Sequence, residues 1–182
     1  VTIPFLLSRM GTELYGLYIL LYTSAGYLSL MTLGSGGATL KYVAEFAGGD
    51  DRKRLAEALR YGALFHLAGS CAGALALFCG ASFCAVHFFG IPPGLPDLGI
   101  FMLRCAAVGS VFAALVQFCF SAMQGFQRFD LQSRLSVFLS VLMPLAVLLL
   151  FRVGHGLRAA GLNYVGVNFV FVVIGAWGVR GL

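Results

Sequence analysis

Gly62-Ala-Leu-Phe-His-Leu-Ala-Gly-Ser-Cys-Ala-Gly-Ala-Leu-Ala-Leu-Phe-Cys-Gly-Ala-Ser-Phe-Cys-Ala-Val-His-Phe-Phe89 carries no charged residue, and none occurs anywhere between Tyr61 and Asp97. A hydrocarbon core of about 30 Å is crossed by a helix of about 20 predominantly apolar residues. This run is long enough to cross. A second charge-free stretch lies between Arg134 and Arg152. Strands of a membrane barrel would alternate apolar and polar residues, and that pattern is absent. Helices are favoured because a backbone in lipid must satisfy its own hydrogen bonds.

The rest of the chain agrees. Of its 182 residues 60% are hydrophobic and only 10% are charged, too little polar surface for a soluble domain of this length. The expected fold is all-α, a polytopic transmembrane helix bundle in one domain over residues 1–182. Val1 to Leu7 is apolar but too short to span, and reads as the stub of a first helix. Five full spans follow. The first covers Leu14 to about Gly37, its helix running on through Lys41 to Phe46. The others cover Tyr61 to about Phe89, Leu98 to Met123, Leu131 to Phe151 and Ala159 to Val179. Gly48-Gly49-Asp50-Asp51, Ile91 to Asp97, Gln124 to Asp130 and Val153 to Leu157 are the connections. The absence of a basic n-region and cleavage site argues against a signal peptide and for a fragment that begins inside a helix.

The net charge of +5 does not point to nucleic acid, because the basic residues flank apolar runs rather than forming one patch. Arg52, Lys53, Arg54, Arg128, Arg134 and Arg180 fall on one side, and Arg9, Arg152 and Arg158 on the other. The positive-inside rule puts the first set in the cytoplasm and the Pro92–Pro96 turn outside. The cluster Arg52, Lys53, Arg54 and Arg60 reads as a topology determinant that also touches anionic lipid. Cys71, Cys79, Cys84, Cys105 and Cys119 all lie in apolar runs with no CxxC, and read as small apolar residues rather than disulfide or metal ligands. Gly69 and Gly73 form a GxxxG, and Ala72, Ala76 and Gly80 a parallel ridge, which suits close packing of helices in lipid. Pro144 in mid-span removes one backbone hydrogen bond and is expected to kink the fourth span, as static packing or as a hinge.

Three segments carry a family resemblance. Met10-Gly-Thr-Glu-Leu-Tyr-Gly-Leu-Tyr18 resembles the segment after the first helix of polysaccharide biosynthesis proteins, the flippases of lipid-linked oligosaccharides. They belong to the multidrug/oligosaccharidyl-lipid/polysaccharide exporter superfamily. Leu30-Met-Thr-Leu-Gly-Ser-Gly-Gly-Ala-Thr-Leu-Lys-Tyr-Val-Ala-Glu45 is similar to their next conserved pattern, departing from it at Met31 and Thr32, where Leu-Asp is usual. Gln124-Gly-Phe-Gln-Arg-Phe-Asp130 is similar to the connection after their fourth helix. The resemblance implies a two-lobe exporter around a cavity that opens alternately to each side, with this chain as a partial first lobe. It implies a multi-pass protein of the cell inner (cytoplasmic) membrane, with no enzymatic chemistry and no cofactor. Its partners would be a lipid-linked glycan, membrane lipids, and glycan polymerase or glycosyltransferase machinery. A cation-coupled multidrug antiporter of the same superfamily is the alternative, favoured by a buried carboxylate that these spans lack. A membrane-embedded glycan polymerase or ligase is the alternative from another class. It would be expected to carry a large soluble loop with catalytic residues, and no long loop is present.

No catalytic constellation stands out, and the three histidines are scattered. His66 on an apolar span reads as a hydrogen-bonded structural residue, with a proton relay as the alternative. His87 and His155 lie near outer turns. Arg104 sits roughly 10 Å inside the third span, a depth at which a charge by default faces the bundle interior or a wet cavity. There it would grip the pyrophosphate of a lipid carrier bidentately; near the outer end it can also snorkel. Ser110, Gln117, Ser121 and Gln124 fall on one face of the same helix, about 120° from Arg104. Such a stripe lines a cavity for sugar hydroxyls or joins neighbouring helices by hydrogen bonds. Asn163 and Asn168 in the fifth span are candidates for the same two roles. Lys41 and Glu45, one turn apart, form a cytoplasmic gate or head-group contact, or else a juxtamembrane ion pair. Substrate-binding candidates are therefore Arg104, Gln117, Gln124 and Ser121, and no metal site is expected.

Overall fold

The computed structural model describes residues 2–32, 34–49, 51–91, 94–153 and 156–180, with side chains from Gly11 onward. Every regular element among them is helical: α1 (Thr2–Ser29), a 3-10 turn (Leu30–Thr32), α2 (Ser35–Gly48), α3 (Arg52–Phe83) closed by a π-turn (Cys84–Phe88), α4 (Pro96–Gly125), α5 (Phe129–Arg152) and α6 (Leu157–Arg180). Five segments are long and apolar enough to cross a membrane: Gly11–Thr32, Arg52–Phe88, Pro96–Gly125, Phe129–Arg152 and Leu157–Arg180. The chain is an all-helical, multi-pass membrane protein. Pro92, Pro93 and His155 lie outside the described residues.

The expected continuous helix from Leu14 to Phe46 does not form. Just before that stretch Gly11 interrupts α1 with extended backbone at positive φ (74°). At the other end the Ser29 hydroxyl donates to Gly26 O at 2.6 Å and the Thr32 hydroxyl to Ser29 O at 3.0 Å. Hydroxyl side chains competing for backbone carbonyls in this way favour tightened turns over regular helix. Gly34 then takes a left-handed conformation (φ 85°), and α2 starts afresh at Ser35. Hydropathy stays high across the joint, which is why the break is invisible to a hydropathy reading.

Most of the other helices pack around α4. Leu17 and Leu21 of α1, Met102, Cys105 and Ala106 of α4, and Ala160 and Tyr164 of α6 form one buried cluster. Val116, Phe120 and Met123 meet Phe171 of α6 in a second. Glycines set the distances. A methyl group on Gly161 would come 3.1 Å from the sulfurs of Met102 and Cys105, and one on Gly175 would come 3.0 Å from Cys119 Cβ. One on Gly109 would overlap the Tyr164 ring. Where lipid supplies no hydrophobic drive to associate, such close approach is a main source of packing energy. Cys105 and Cys119 are thus packing residues beneath glycines, and all five cysteines are free thiols.

Of the two ridges on α3, one is used. Gly69 abuts Met31 O and Gly73 abuts Leu28 and Met31, so this GxxxG seats α3 on the end of α1. Ala72 and Ala76 are exposed, and that ridge has no partner among the described residues. The helix α5 continues through Pro144 and buries only Val147 fully.

The connection after α4 ends in a Schellman-type cap. Arg128 N–H donates to Met123 O at 2.9 Å and Gln127 N–H to Gln124 O at 2.9 Å. The left-handed position belongs to Gln127 (φ 58°), the only non-glycine at positive φ among the described residues. A left-handed side chain costs roughly 1–2 kcal/mol, partly offset by the entropy glycine loses on folding. Gln127→Gly is therefore expected to stabilise the protein by about 0.5–1 kcal/mol, read as a small rise in the thermal midpoint in detergent; a fall in the midpoint would count against the cap.

Candidate functional site

The polar stripe of α4 meets the joint between α1 and α2. Ser29 and Thr32 from the end of α1, Gly34, Gly36 and Gly37 at the start of α2, His66 of α3, and Ser110 and Gln117 of α4 line a cavity of about 440 Å³. That volume lies within the range of small-molecule sites. No charged residue lines it. Its polar groups are hydroxyls, an imidazole and the Gln117 amide, with small apolar residues (Ala25, Ala113, Ala114) between them. Ser24, next to Ala25, buries a hydroxyl with no hydrogen-bond partner.

The glycines give this wall its shape. A methyl group on Gly37 would meet nothing within 4 Å, so the wall there is open space. One on Gly36 would come 3.0 Å from Ser121 Oγ. Ser121 is buried behind α2 rather than in the cavity, and its stripe-mate Ser110 donates to Ala107 O at 2.8 Å while bordering the cavity. Gln124 is half-buried one turn further on and does not line it. Of the four stripe residues, two reach the cavity.

His66 is 1% exposed and fixed at both ring nitrogens. Nδ1 lies 3.0 Å from Gly62 O, and Nε2 lies 3.1 Å from the Ser35 hydroxyl. Its ring tilts against Phe118 at 5.6 Å between centroids. A methyl group on Gly62 would come 2.9 Å from Thr39 Oγ1 and 3.1 Å from the Phe118 ring, so this glycine lets α3 close on α2 and α4 where the histidine sits.

Of the two readings of Arg104, inward-facing or snorkelling, its position fits the second. It is exposed on the outside of the bundle, its guanidinium 5.2 Å from the Phe78 ring centroid, and it lines no cavity described here. A cation over an aromatic face is attracted by the ring quadrupole. With a long stem that follows apolar surface, this is a snorkelling arrangement. Depth along a helix does not set rotation about it, and rotation decided the outcome.

Lys41 and Glu45 are both exposed on α2 and form no ion pair within 4 Å. Lys41 Nζ instead lies 5.6 Å from the Tyr42 ring centroid. The ion pairs among the described residues are Arg54–Asp51 at 3.3 Å and Arg128–Asp130 at 3.5 Å, both at helix starts. Asn168 donates to Tyr164 O of its own helix at 2.8 Å, and the buried Asn163 amide nitrogen has no partner. Neither bonds to a neighbouring helix.

A larger cavity of about 700 Å³ lies between α2 and the start of α3, lined by Tyr42, Phe46, Tyr61 and Phe65, with Arg54 and Glu57 among its few charged groups. Its tyrosines and phenylalanines are the composition of a membrane–water interface belt. No known protein family, curated protein or solved structure matches this chain. The site therefore stands on its own geometry. Sequence reasoning named Gln117 but missed the wall facing it, Ser29, Thr32 and the glycine-rich start of α2. Four glycines and serines in a row at 34–37, flanked by hydroxyls at Ser29, Thr32 and Thr39, were the available signal.

Proposed function

We propose that this chain forms part of the first lobe of a flippase, which moves a lipid-linked oligosaccharide or polysaccharide across the cytoplasmic membrane by alternating access. The observation that carries the reading is the cavity beside Gln117, walled by hydroxyls, an amide and the His66 imidazole, with no Asp, Glu, Lys or Arg on it. Sugars are recognised through hydroxyls, which pair with neutral donors and acceptors at modest cost. The three segments that resemble polysaccharide flippases support it. One of them supplies the Gly34–Gly37 wall, and another the Gly125 contact, where a methyl group would come 2.7 Å from Val43 Cβ and so brings α4 onto α2.

On this reading Gln117 and Ser110 contact sugar. Arg104 is a membrane-facing residue rather than a pyrophosphate ligand. Lys41 and Glu45, exposed at one end of α2, would meet lipid head groups or a second lobe rather than gate as a pair. Glycan polymerase and glycosyltransferase machinery would be the neighbours that supply and take up the cargo.

The test is transport by the intact protein in lipid vesicles loaded with a fluorescent lipid-linked oligosaccharide. Gln117→Leu, which keeps size but leaves sugar hydroxyls unpaired, should slow translocation about tenfold, the cost of one to two lost hydrogen bonds. Arg104→Ala should leave the rate within about twofold. The opposite pattern, with Arg104→Ala silent in folding but inactive, would move the site to the outer face of α4. No translocation by the intact protein would remove the flippase reading altogether.

A further inference from the structure

The hydrogen bonds around His66 have a proton count that only one ionisation state meets. Gly62 O is a carbonyl and accepts, so its 3.0 Å contact requires a proton on Nδ1. Ser35 has one hydroxyl proton and two partners, Thr32 O at 2.6 Å and His66 Nε2 at 3.1 Å. With a neutral ring protonated at Nδ1, that single proton serves either Thr32 O or Nε2, and the other contact sets two lone pairs face to face. With a neutral ring protonated at Nε2, the lone pairs of Nδ1 and Gly62 O face each other instead. With both nitrogens protonated, Nδ1–H donates to Gly62 O, Nε2–H to Ser35 Oγ, and Ser35 O–H to Thr32 O. Every contact is then satisfied.

We infer that His66 is a proton-binding site whose charged form locks the joint between α1 and α2. The proton enters from the cavity that His66 borders and binds Nε2. The Ser35 hydroxyl, released from Nε2, turns its own proton to Thr32 O. Loss of the proton to the same cavity reverses both moves. The chain Thr32–Ser35–His66 thereby ties the last turn of α1, the first turn of α2 and the middle of α3 together. Gly34 between them is left-handed and has no side-chain cap. A charge-assisted hydrogen bond is about twice as strong as a neutral one, which makes the protonated joint the tighter one.

No ionisable side chain competes for this role. The groups that face His66 are Thr32 from the 3-10 turn, Ser35 and Thr39 from α2, and Gln117 and Phe118 from α4, none of them charged. On α4 no charge occurs between Arg104 and Arg128. Arg54, Glu57 and Tyr61 and, on α2, Tyr42 line the neighbouring cavity, which Ser35, Thr39 and Gly62 separate from the His66 ring, and Lys41, Glu45 and Arg60 are exposed.

Hydrogen exchange of the backbone amides of residues 34–40, in the full protein in lipid nanodiscs, reads the joint directly and does not depend on transport. Measured at pH 5 and pH 8.5, which bracket the range in which histidine side chains titrate, and corrected for intrinsic exchange, protection should be about tenfold higher at the lower pH. His66→Gln and the milder Ser35→Ala should each remove that pH dependence, while amides of α4 and α6 keep their wild-type protection. Wild-type protection of the joint that changes less than twofold with pH would overturn the inference. So would a pH dependence that survives in Ser35→Ala.

Discussion

Gly109→Leu is expected to force α6 away from α4 and leave little folded protein. The Cβ of any larger residue at this position overlaps the ring of Tyr164, which is 7% exposed and closed in on its far side by Tyr22 at 5.4 Å between ring centroids. Tyr22 in turn stacks edge-on against Tyr18 at 5.0 Å. Burial and the Tyr22 contact restrict where the ring can move. Overpacking a tight interior costs about 1–3 kcal/mol for small additions, and a branched side chain against a restricted ring exceeds that. Gly109→Ala should lower stability by about 2 kcal/mol in detergent unfolding, and Gly109→Leu should abolish the monodisperse folded species. Adding Tyr164→Ala to Gly109→Leu should recover part of the loss, because the two changes exchange volume at one contact. If the double variant is no better than the single, the clash at Tyr164 is not what makes the glycine necessary.

Gly37→Trp should block translocation at least about tenfold while the protein folds normally. Its Cβ points into open space at the edge of the cavity, so the indole has somewhere to go without displacing the bundle. Once there it occupies a large part of about 440 Å³. Gly37→Ala should be silent in both folding and transport. The neighbouring Gly36→Trp is the contrasting case, since Ser121 Oγ would lie 3.0 Å from its Cβ, and it should fail by misfolding. Normal transport by folded Gly37→Trp would mean that cargo passes elsewhere.

The number of spans was legible because a charge-free apolar run leaves a helix in lipid little choice, and Gly62 to Phe89 is such a run. The break at Gly34 was not, because Ser29, Thr32 and Gly34 leave hydropathy high while their hydroxyls and backbone freedom undo the helix. The cavity was half legible. Gln117 and Ser110 stand out as polar residues on an apolar helix, yet which of the stripe reaches a void and which is sealed behind Gly36 depends on where α2 restarts. Arg104 stayed between two readings for a related reason: its depth was readable, and the side of α4 on which it emerges was not. His66 was legible as a buried, bonded histidine, but its proton count needs the positions of Ser35 and Gly62 in space.

That α5 buries only Val147 fully bears on what its sequence is for. If α4, α5 and α6 each cross the bilayer once, α4 and α6 run in the same direction, and the glycine-to-side-chain contacts between them are those of parallel neighbours. Parallel neighbours require the chain to return between them. As the return segment, α5 stands to α4 and α6 as the crossover does to two parallel strands. Its contribution is route more than grip, so length and apolarity are what it must preserve. Exchanges among Val, Leu and Phe at its exposed positions Val137, Val141 and Leu145 leave both untouched.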